Sequence, residues 1–309
     1  MRNMEGKRVL VVGGAGFIGS AVVSALIKAE ADVSVLDLVS VARSDVYSIV
    51  GPLSDLSIVA SAVVGVDIVI FLANASLPGS SHANLSAEVS SHVLATINVA
   101  EMAAGVGVKN FVFASSGGTV YGYSPQNGQS LCEQNSTKPR NAYGVSKLSI
   151  EHYLRLLSMN RSMSTLSLRL ANPYGEGQKA NRAQGVIAAA MEHAYRGTKM
   201  LVWGDGSVER DFVHISDVAI AFIKACTYQG ACDVINIGSG QSTPLLTVLE
   251  GVEKISKRKI DVCFDRDRDI DVHCNRLDIS LAKRELDWSP SVDLQEGLRR
   301  TSLWWEETA

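Results

Sequence analysis

The stretch from Val9 to Ile27 carries no charge between Arg8 and Lys28, and its middle holds Gly13, Gly14, Gly16 and Gly19. Its length and apolarity alone would suit a signal or membrane-spanning segment. Glycines at the centre would weaken such a helix, whereas a strand that turns sharply into a helix requires them. The strand and helix of a buried βαβ unit account for the same apolarity. The stretch therefore predicts a strand over 8–12, a tight turn and a helix, and no membrane.

Lying between that strand and that helix, Gly13-Gly14-Ala15-Gly16-Phe17-Ile18-Gly19 has the context of a dinucleotide-binding fingerprint. Gly13 permits the tight turn, Gly16 lets backbone N–H groups approach a pyrophosphate, and Gly19 allows close helix packing. The helix N-terminus adds positive potential. Asp37 follows at the end of the second predicted strand, where a carboxylate accepts hydrogen bonds from both ribose hydroxyls. That pairing favours NAD over NADP. Arg43, the nearby cation that could meet a 2′-phosphate, reads as a surface residue.

Short β-branched runs then alternate with helical patterns, giving strands over 32–36, 68–72, 110–114 and 166–170, and helices near 17–29, 56–64, 85–104 and 143–159. Such alternation predicts an α/β fold, a doubly wound parallel sheet of the Rossmann type with crossovers on both faces. After Pro173 the pattern loosens into shorter elements, as expected of a smaller C-terminal substrate-binding α/β domain. A helix over 213–228 and a strand over 233–237 are expected to return to the first sheet. The predicted division is 1–172 plus about 213–240 for the dinucleotide domain, with 173–212 and 241–309 forming the second. A net charge of -3 without basic runs leaves no footprint for nucleic acid or an anionic membrane, so small-molecule chemistry is favoured. The five cysteines form no C-x-x-C pair, which suits a reducing cytoplasm and predicts neither disulfides nor a metal site.

Tyr143-Gly144-Val145-Ser146-Lys147 opens a predicted helix, and its i,i+4 spacing puts phenol and ammonium on one face. A tyrosine ordinarily titrates near pH 10, and an adjacent cation, helped by the positive nicotinamide of the cofactor, favours the phenolate. Bringing it to about 7 takes roughly 4 kcal/mol of differential stabilisation. The expected product is a general base for a sugar or alcohol hydroxyl.

Taken together, the glycine fingerprint, Asp37, Ser115-Ser116-Gly117-Gly118-Thr119-Val120-Tyr121-Gly122 and the Tyr143/Lys147 pair resemble the extended short-chain dehydrogenases/reductases. The resemblance continues through Arg169 to Gly175, Trp203 to Gly206, Arg210 to His214 and Leu277 to Ala282, an order typical of the NAD-dependent sugar-nucleotide epimerases and dehydratases. It implies NAD held by Gly13, Gly16, Phe17, Ile18, Gly19, Asp37, Leu53, Leu72, Ala73, Tyr143 and Lys147. It implies a nucleotide sugar, UDP-linked by similarity, held by Asn172, Val186, Arg210, Arg268 and Asn275; guanidinium forks suit diphosphates. Tyr143, Lys147, Ser116 and Thr119 are the implied catalytic residues. A cytoplasmic homodimer built through the helices near 85–104 and 143–159 is also implied.

Within the family, 4,6-dehydratases carry an Asp-Glu pair where this chain has Gly118 and Thr119, and decarboxylases a glutamate where it has Thr119. The resemblance is therefore to UDP-glucose 4-epimerase-like members, which oxidise C4, rotate the 4-keto sugar and return hydride to its other face. A dehydrogenase or 4-keto-sugar reductase, and a non-catalytic binding protein, stay open as alternatives. Departures are Gly117 in place of a serine or threonine, Pro52 in place of an aspartate that meets adenine, and His92 in place of an asparagine. Ser116 is expected to replace the missing hydroxyl, Thr119 being a further candidate, and Gly117→Ser to be neutral or favourable. His92 is expected to pack in a stripe with Val89, Val93, Ile97 and Ala100. Asn275 matches a bulky tyrosine of hexose-only epimerases, which would leave room for an N-acetyl group.

Overall fold

The computed structural model describes residues 4–74, 84–124, 128–160, 163–180, 185–266 and 272–308, so Arg268 lies outside the described residues. The first half runs β1 (Arg8–Val12), α1 (Phe17–Lys28), β2 (Asp32–Asp37), β3 (Tyr47–Val50), α2 (Leu56–Val63), β4 (Ile68–Phe71), α3 (Leu85–Glu88), a π-turn (Val89–Leu94), α4 (Ala95–Gly105), β5 (Asn110–Ser116), α5 (Ala142–Asn160) and β6 (Ser164–Leu170). The second half runs β7 (Asn172–Tyr174), α6 (Val186–Arg196), β8 (Met200–Trp203), β9 (Glu209–Arg210), β10 (Phe212–His214), α7 (Ile215–Cys226), β11 (Val234–Ile237), β12 (Thr243–Pro244), α8 (Leu245–Ser256), β13 (Val262–Asp265), β14 (Cys274–Asn275), α9 (Ser280–Leu286) and α10 (Leu294–Thr308).

A parallel seven-stranded sheet in the order β11-β6-β5-β4-β1-β2-β3 forms the centre. The strand order reverses between β1 and β4, and ligands of such sheets bind at that switch point, beyond the strands' carboxyl ends. Continuous apolar runs such as Ile68–Phe71 are buried along their whole length because both faces are covered. On one face Val22, Val23 and Leu26 of α1 pack with Val218 and Phe222 of α7. On the other, Val59 and Val63 of α2, Val99 and Ala103 of α4, and Ile150 and Leu154 of α5 form a second core. A third core unites Ile187 and Met191 of α6, Val248 and Val252 of α8, and Leu298 and Trp305 of α10 beneath short sheets.

Several predicted elements change. Residues 212–214 form strand β10, pairing with β7, and the helix begins at Ile215, because the His214 side chain accepts from the Ser216 amide as an N-cap. Edge strand β3 carries no strand pattern in the sequence, since Tyr47 and Val50 face solvent and its burial does not alternate. The expected helix over 85–104 is interrupted by the π-turn, which shifts the helical phase. Val89 is consequently 55% exposed, outside the apolar stripe expected for it, while His92 turns inward at 1%. No helix among the described residues is long and apolar enough to cross a membrane.

Candidate active site

At the carboxyl end of β1 the chain has no room for side chains. Gly13 sits at φ +86°, and a Cβ there would stand 2.5 Å from the Ala73 amide nitrogen. A Cβ on Gly19 would meet the Gly13 carbonyl at 2.2 Å. Gly16 differs: its Cβ would touch nothing nearer than 3.4 Å, so the outer face of the turn is open to an approaching group. Gly16 is the N-cap of α1 and supplies no side-chain cap, which leaves the first-turn amides, Phe17 and Ile18 among them, without intrahelical acceptors. An open turn at a helix N-terminus fits a dinucleotide pyrophosphate.

Asp37 braces this turn, its Oδ2 accepting from the Ala15 amide at 2.9 Å and its Oδ1 from the Leu38 amide at 2.7 Å. Arg43 forks onto Asp45 at 3.0 and 2.8 Å and donates to Ser24, an engagement that a 2′-phosphate would have to break. Leu53 packs half-buried at the edge of the second core, and the Leu72–Ala73 backbone presses directly on Gly13.

The chemistry-bearing residues gather where β5 ends. Lys147, buried in α5, donates to the Ala114 carbonyl at 2.7 Å and lies 4.6 Å from the Phe113 ring centroid and 5.4 Å from that of Tyr143. Gly144 seats this helix on the loop after β5: a Cβ there would stand 2.9 Å from the Thr119 carbonyl oxygen. Thr119 Oγ1 is buried with no hydrogen-bond partner among the described residues. Ser116, at the end of β5, is half-buried, and its carbonyl accepts from the Thr119 and Val120 amides. A Cβ on Gly118 would meet nothing nearer than Ser116 Oγ at 3.9 Å, so this loop too presents an open face.

The electrostatics show what activation of Tyr143 has to overcome. Burial pushes Tyr143 up to about 12, a hydrogen bond with Asn74 opposes that, and the charge of Glu88 adds to it. Burial pulls Lys147 down to about 7 against the anionic pull of Glu88 and Glu151. Both shifts oppose a phenolate beside a charged Lys147, so the expected activation falls to Lys147 together with the positive nicotinamide of a bound cofactor.

Gly117 is closely packed. A Cβ there would stand 2.5 Å from Leu277 Cδ1 and 3.2 Å from the Arg169 carbonyl, so a serine requires the Leu277 side chain to shift. Asn275, 3% exposed, donates from Nδ2 to the Gly117 carbonyl at 3.1 Å. Asn275 also stands in register with Arg210 on the β14–β9 ladder, and the Arg210 guanidinium donates to the Glu209 and Val272 carbonyls. Asp211 fixes this segment, accepting from the Leu277, Ser239 and Gly240 amides. Asn172 donates to the Asp211 carbonyl at 2.9 Å. Tyr143, Lys147, Ser116, Thr119 and Asn275 thus share one loop system with Arg210 and Asn172 adjoining it, whereas Val186, opening α6, packs on the third core.

Sequence reasoning missed Glu88, Asn74 and Glu151. Glu151 is buried one turn beyond Lys147, where Arg169 grips it at 2.7 Å and Ser115 donates to it. Glu88 precedes His92 by four residues, a spacing that could have flagged the pair.

A model of the NAD dependent epimerase/dehydratase family matches residues 9–238. The chain is 32% identical over 307 residues to the dTDP-4-dehydro-6-deoxyglucose reductase of Escherichia coli, covering 94% of this chain and 95% of that one. It is 31% identical over 305 residues to the putative UDP-glucose 4-epimerase of Methanocaldococcus jannaschii, covering 96% and 97%. The solved structure of Thermotoga maritima UDP-glucose 4-epimerase with UDP-glucose superposes with a TM-score of 0.92 at 30% identity, covering 97% of this chain and 99% of that chain. With its glycine turn, its Tyr143/Lys147 pair and these likenesses, the chain belongs to the NAD-dependent epimerase/dehydratase family.

Proposed function

We propose that this chain epimerises a nucleotide sugar at C4, a UDP-hexose or UDP-N-acetylhexosamine, through a transient 4-keto sugar. The observation that carries the reading is the seating of Tyr143 and Lys147 against the 116–119 loop, where Gly118 and Thr119 offer a hydroxyl but no acid pair for eliminating water. NAD, the cofactor of this family, supplies a hydride acceptor and a positive charge when bound. Tyr143 takes the proton of the sugar's 4-hydroxyl, keeps it in the buried site, and returns it after the sugar has turned over. Lys147 steadies the phenolate. The Thr119 hydroxyl, unpartnered among the described residues, or Ser116 beside it, donates to the reacting oxygen as its charge changes. Asn172, Arg210 and Arg268 hold the diphosphate.

The reductase from Escherichia coli favours a second reading, net reduction of a 4-keto sugar. A panel of UDP-, GDP- and dTDP-sugars with catalytic NAD separates the two. Epimers resolved by NMR without accumulating NADH support epimerisation; stoichiometric cofactor turnover supports redox chemistry. A silent panel despite tight NAD binding would leave a non-catalytic protein. Asn275→Tyr tests the substrate, since a ring filling the space beside Gly117 should exclude N-acetylated sugars selectively.

The working form we propose is a cytoplasmic homodimer. Leu85, Val89 and Leu94 on the 85–105 helical segment, with Tyr153, Leu156 and Met159 on α5, are exposed and would be covered in a four-helix bundle. Sedimentation equilibrium reads the mass directly.

A further inference from the structure

A row of polar side chains crosses the carboxyl end of the sheet beneath the site. Ser115 of β5, Arg169 of β6 and Asn236 of β11 are register partners across three strands. With Glu151 of α5 and Tyr121 of the loop after β5, each is at most 5% exposed. The row begins beside the reacting pair. Lys147 ends on the Ala114 carbonyl at 2.7 Å, and Ser115, the next residue, donates to Glu151, one helical turn beyond Lys147. Arg169 forks onto Glu151 at 3.0 and 2.7 Å and donates from its other Nη to the Tyr121 hydroxyl at 3.1 Å. That hydroxyl donates to Asn236 Oδ1 at 2.8 Å, and Asn236 Nδ2 in turn donates to the Leu131 and Asp278 carbonyls at 2.9 and 3.3 Å. A buried ion pair adds little net stability over apolar side chains of similar volume, whereas a satisfied buried network fixes one geometry.

We propose that Tyr121 is a positioning residue for the reaction, holding the 116–122 loop, with its Ser116 and Thr119 hydroxyls, in register with the helix that bears Tyr143 and Lys147. The inference rests on the reading of Tyr143 as the base and of a loop hydroxyl as its partner at the reacting oxygen. Arg169 and Glu151 tie the Tyr121 hydroxyl to α5, and Asn236 braces it from β11. The Arg169 guanidinium also lies over the Tyr121 ring, 5.0 Å from its centroid, so ring and hydroxyl are held together. Burial pushes the phenol up to about 12, which keeps it a neutral donor where the enzyme works. A misplacement of about 1 Å at a reacting group costs on the order of 10²-fold in rate, so slack in this frame falls on turnover more than on binding.

Tyr121→Phe in the full-length chain removes only the hydroxyl and uncouples the loop from Arg169 and Asn236. In the sugar panel kcat should fall about tenfold, while KM for the nucleotide sugar and calorimetric NAD affinity change less than about twofold. Where the loop hydroxyl is already gone, in Thr119→Val or Ser116→Ala, whichever slows the enzyme, Tyr121→Phe should cost less than about twofold more, since no hydroxyl remains to be positioned. An unchanged kcat beside a lowered melting temperature, or losses that multiply in the double variant, would mark Tyr121 as structural and overturn the proposal. Amide hydrogen exchange gives a reading without turnover. The Gly117 and Val120 amides, bonded to the Leu170 and Ser116 carbonyls, should exchange about tenfold faster in Tyr121→Phe while the amides of β1 and β4 keep their parental rates. Unchanged loop exchange overturns the proposal even where the sugar panel is silent, so its failure is distinct from failure of the epimerase reading. Asn236→Ser cuts the chain at the next link and is read in the same way should Tyr121→Phe not fold.

Discussion

Lys147 extends across the ring of Tyr143, its ammonium 5.4 Å from the ring centroid, and ends on the Ala114 carbonyl at 2.7 Å. The two groups are one helical turn apart and both buried, yet burial drives them in opposite directions, the phenol up to about 12 and the ammonium down to about 7. Both shifts favour the neutral pair. Tyr143→Phe removes only the ionisable oxygen and should cut turnover about 10²-fold or more while calorimetric NAD affinity stays nearly constant. Lys147→Ala should lose both rate and affinity.

Thr119 tests the hydroxyl assignment with an unusual pairing of signs. Its Oγ1 is buried and unsatisfied among the described residues, a state that costs about 1–3 kcal/mol in a folded protein. Thr119→Val should therefore keep or raise the melting temperature while turnover falls tenfold or more. If Thr119→Val is active and Ser116→Ala is not, Ser116 carries the role.

Gly117→Ser should not improve the enzyme. The new Cβ would meet Leu277 Cδ1 at 2.5 Å in a fully buried setting, and overpacking of this kind costs roughly 1–3 kcal/mol. A lowered urea midpoint is expected, with turnover at or below that of the parent. Gly117→Ser combined with Leu277→Ala should recover part of the lost stability.

Cofactor choice follows from two carboxylates. Asp37 stands at the end of β2 and Asp45 occupies Arg43, so a 2′-phosphate would meet repulsion from Asp37 while the Arg43 guanidinium is already engaged. Titration calorimetry should find at least tenfold preference for NAD over NADP. Equal binding would contradict the assignment.

Acid sensitivity should trace partly to His92. Its imidazole is held down to about 3 in the fold against 6.5 in a free chain. Between those values the unfolded chain binds a proton that the folded chain does not, so stability present above pH 6.5 is lost as pH falls towards 3. His92→Asn should flatten that loss, by about 2 kcal/mol between pH 7 and 4.5, in urea titrations at the two pH values.

The glycine turn, the alternation of strand and helix and the i,i+4 spacing of Tyr143 and Lys147 were legible in the sequence because each is a local property. Turn geometry, side-chain periodicity and one helical turn need no distant partner to be specified. Edge strand β3 was not legible because its burial does not alternate, and the strand over 212–214 because it is defined by its pairing with β7, some forty residues earlier. The environment of the site was decided by the tertiary fold alone. Leu277 fills the space that a serine at 117 would need, and Asp211 fixes the segment bearing it. A π-turn brings His92 to the Tyr143 ring and takes Val89 out of the stripe that regular helical periodicity predicts. Burial opposes the expected shift of Tyr143, because desolvation depends on what surrounds an atom in space, and sequence spacing does not record it.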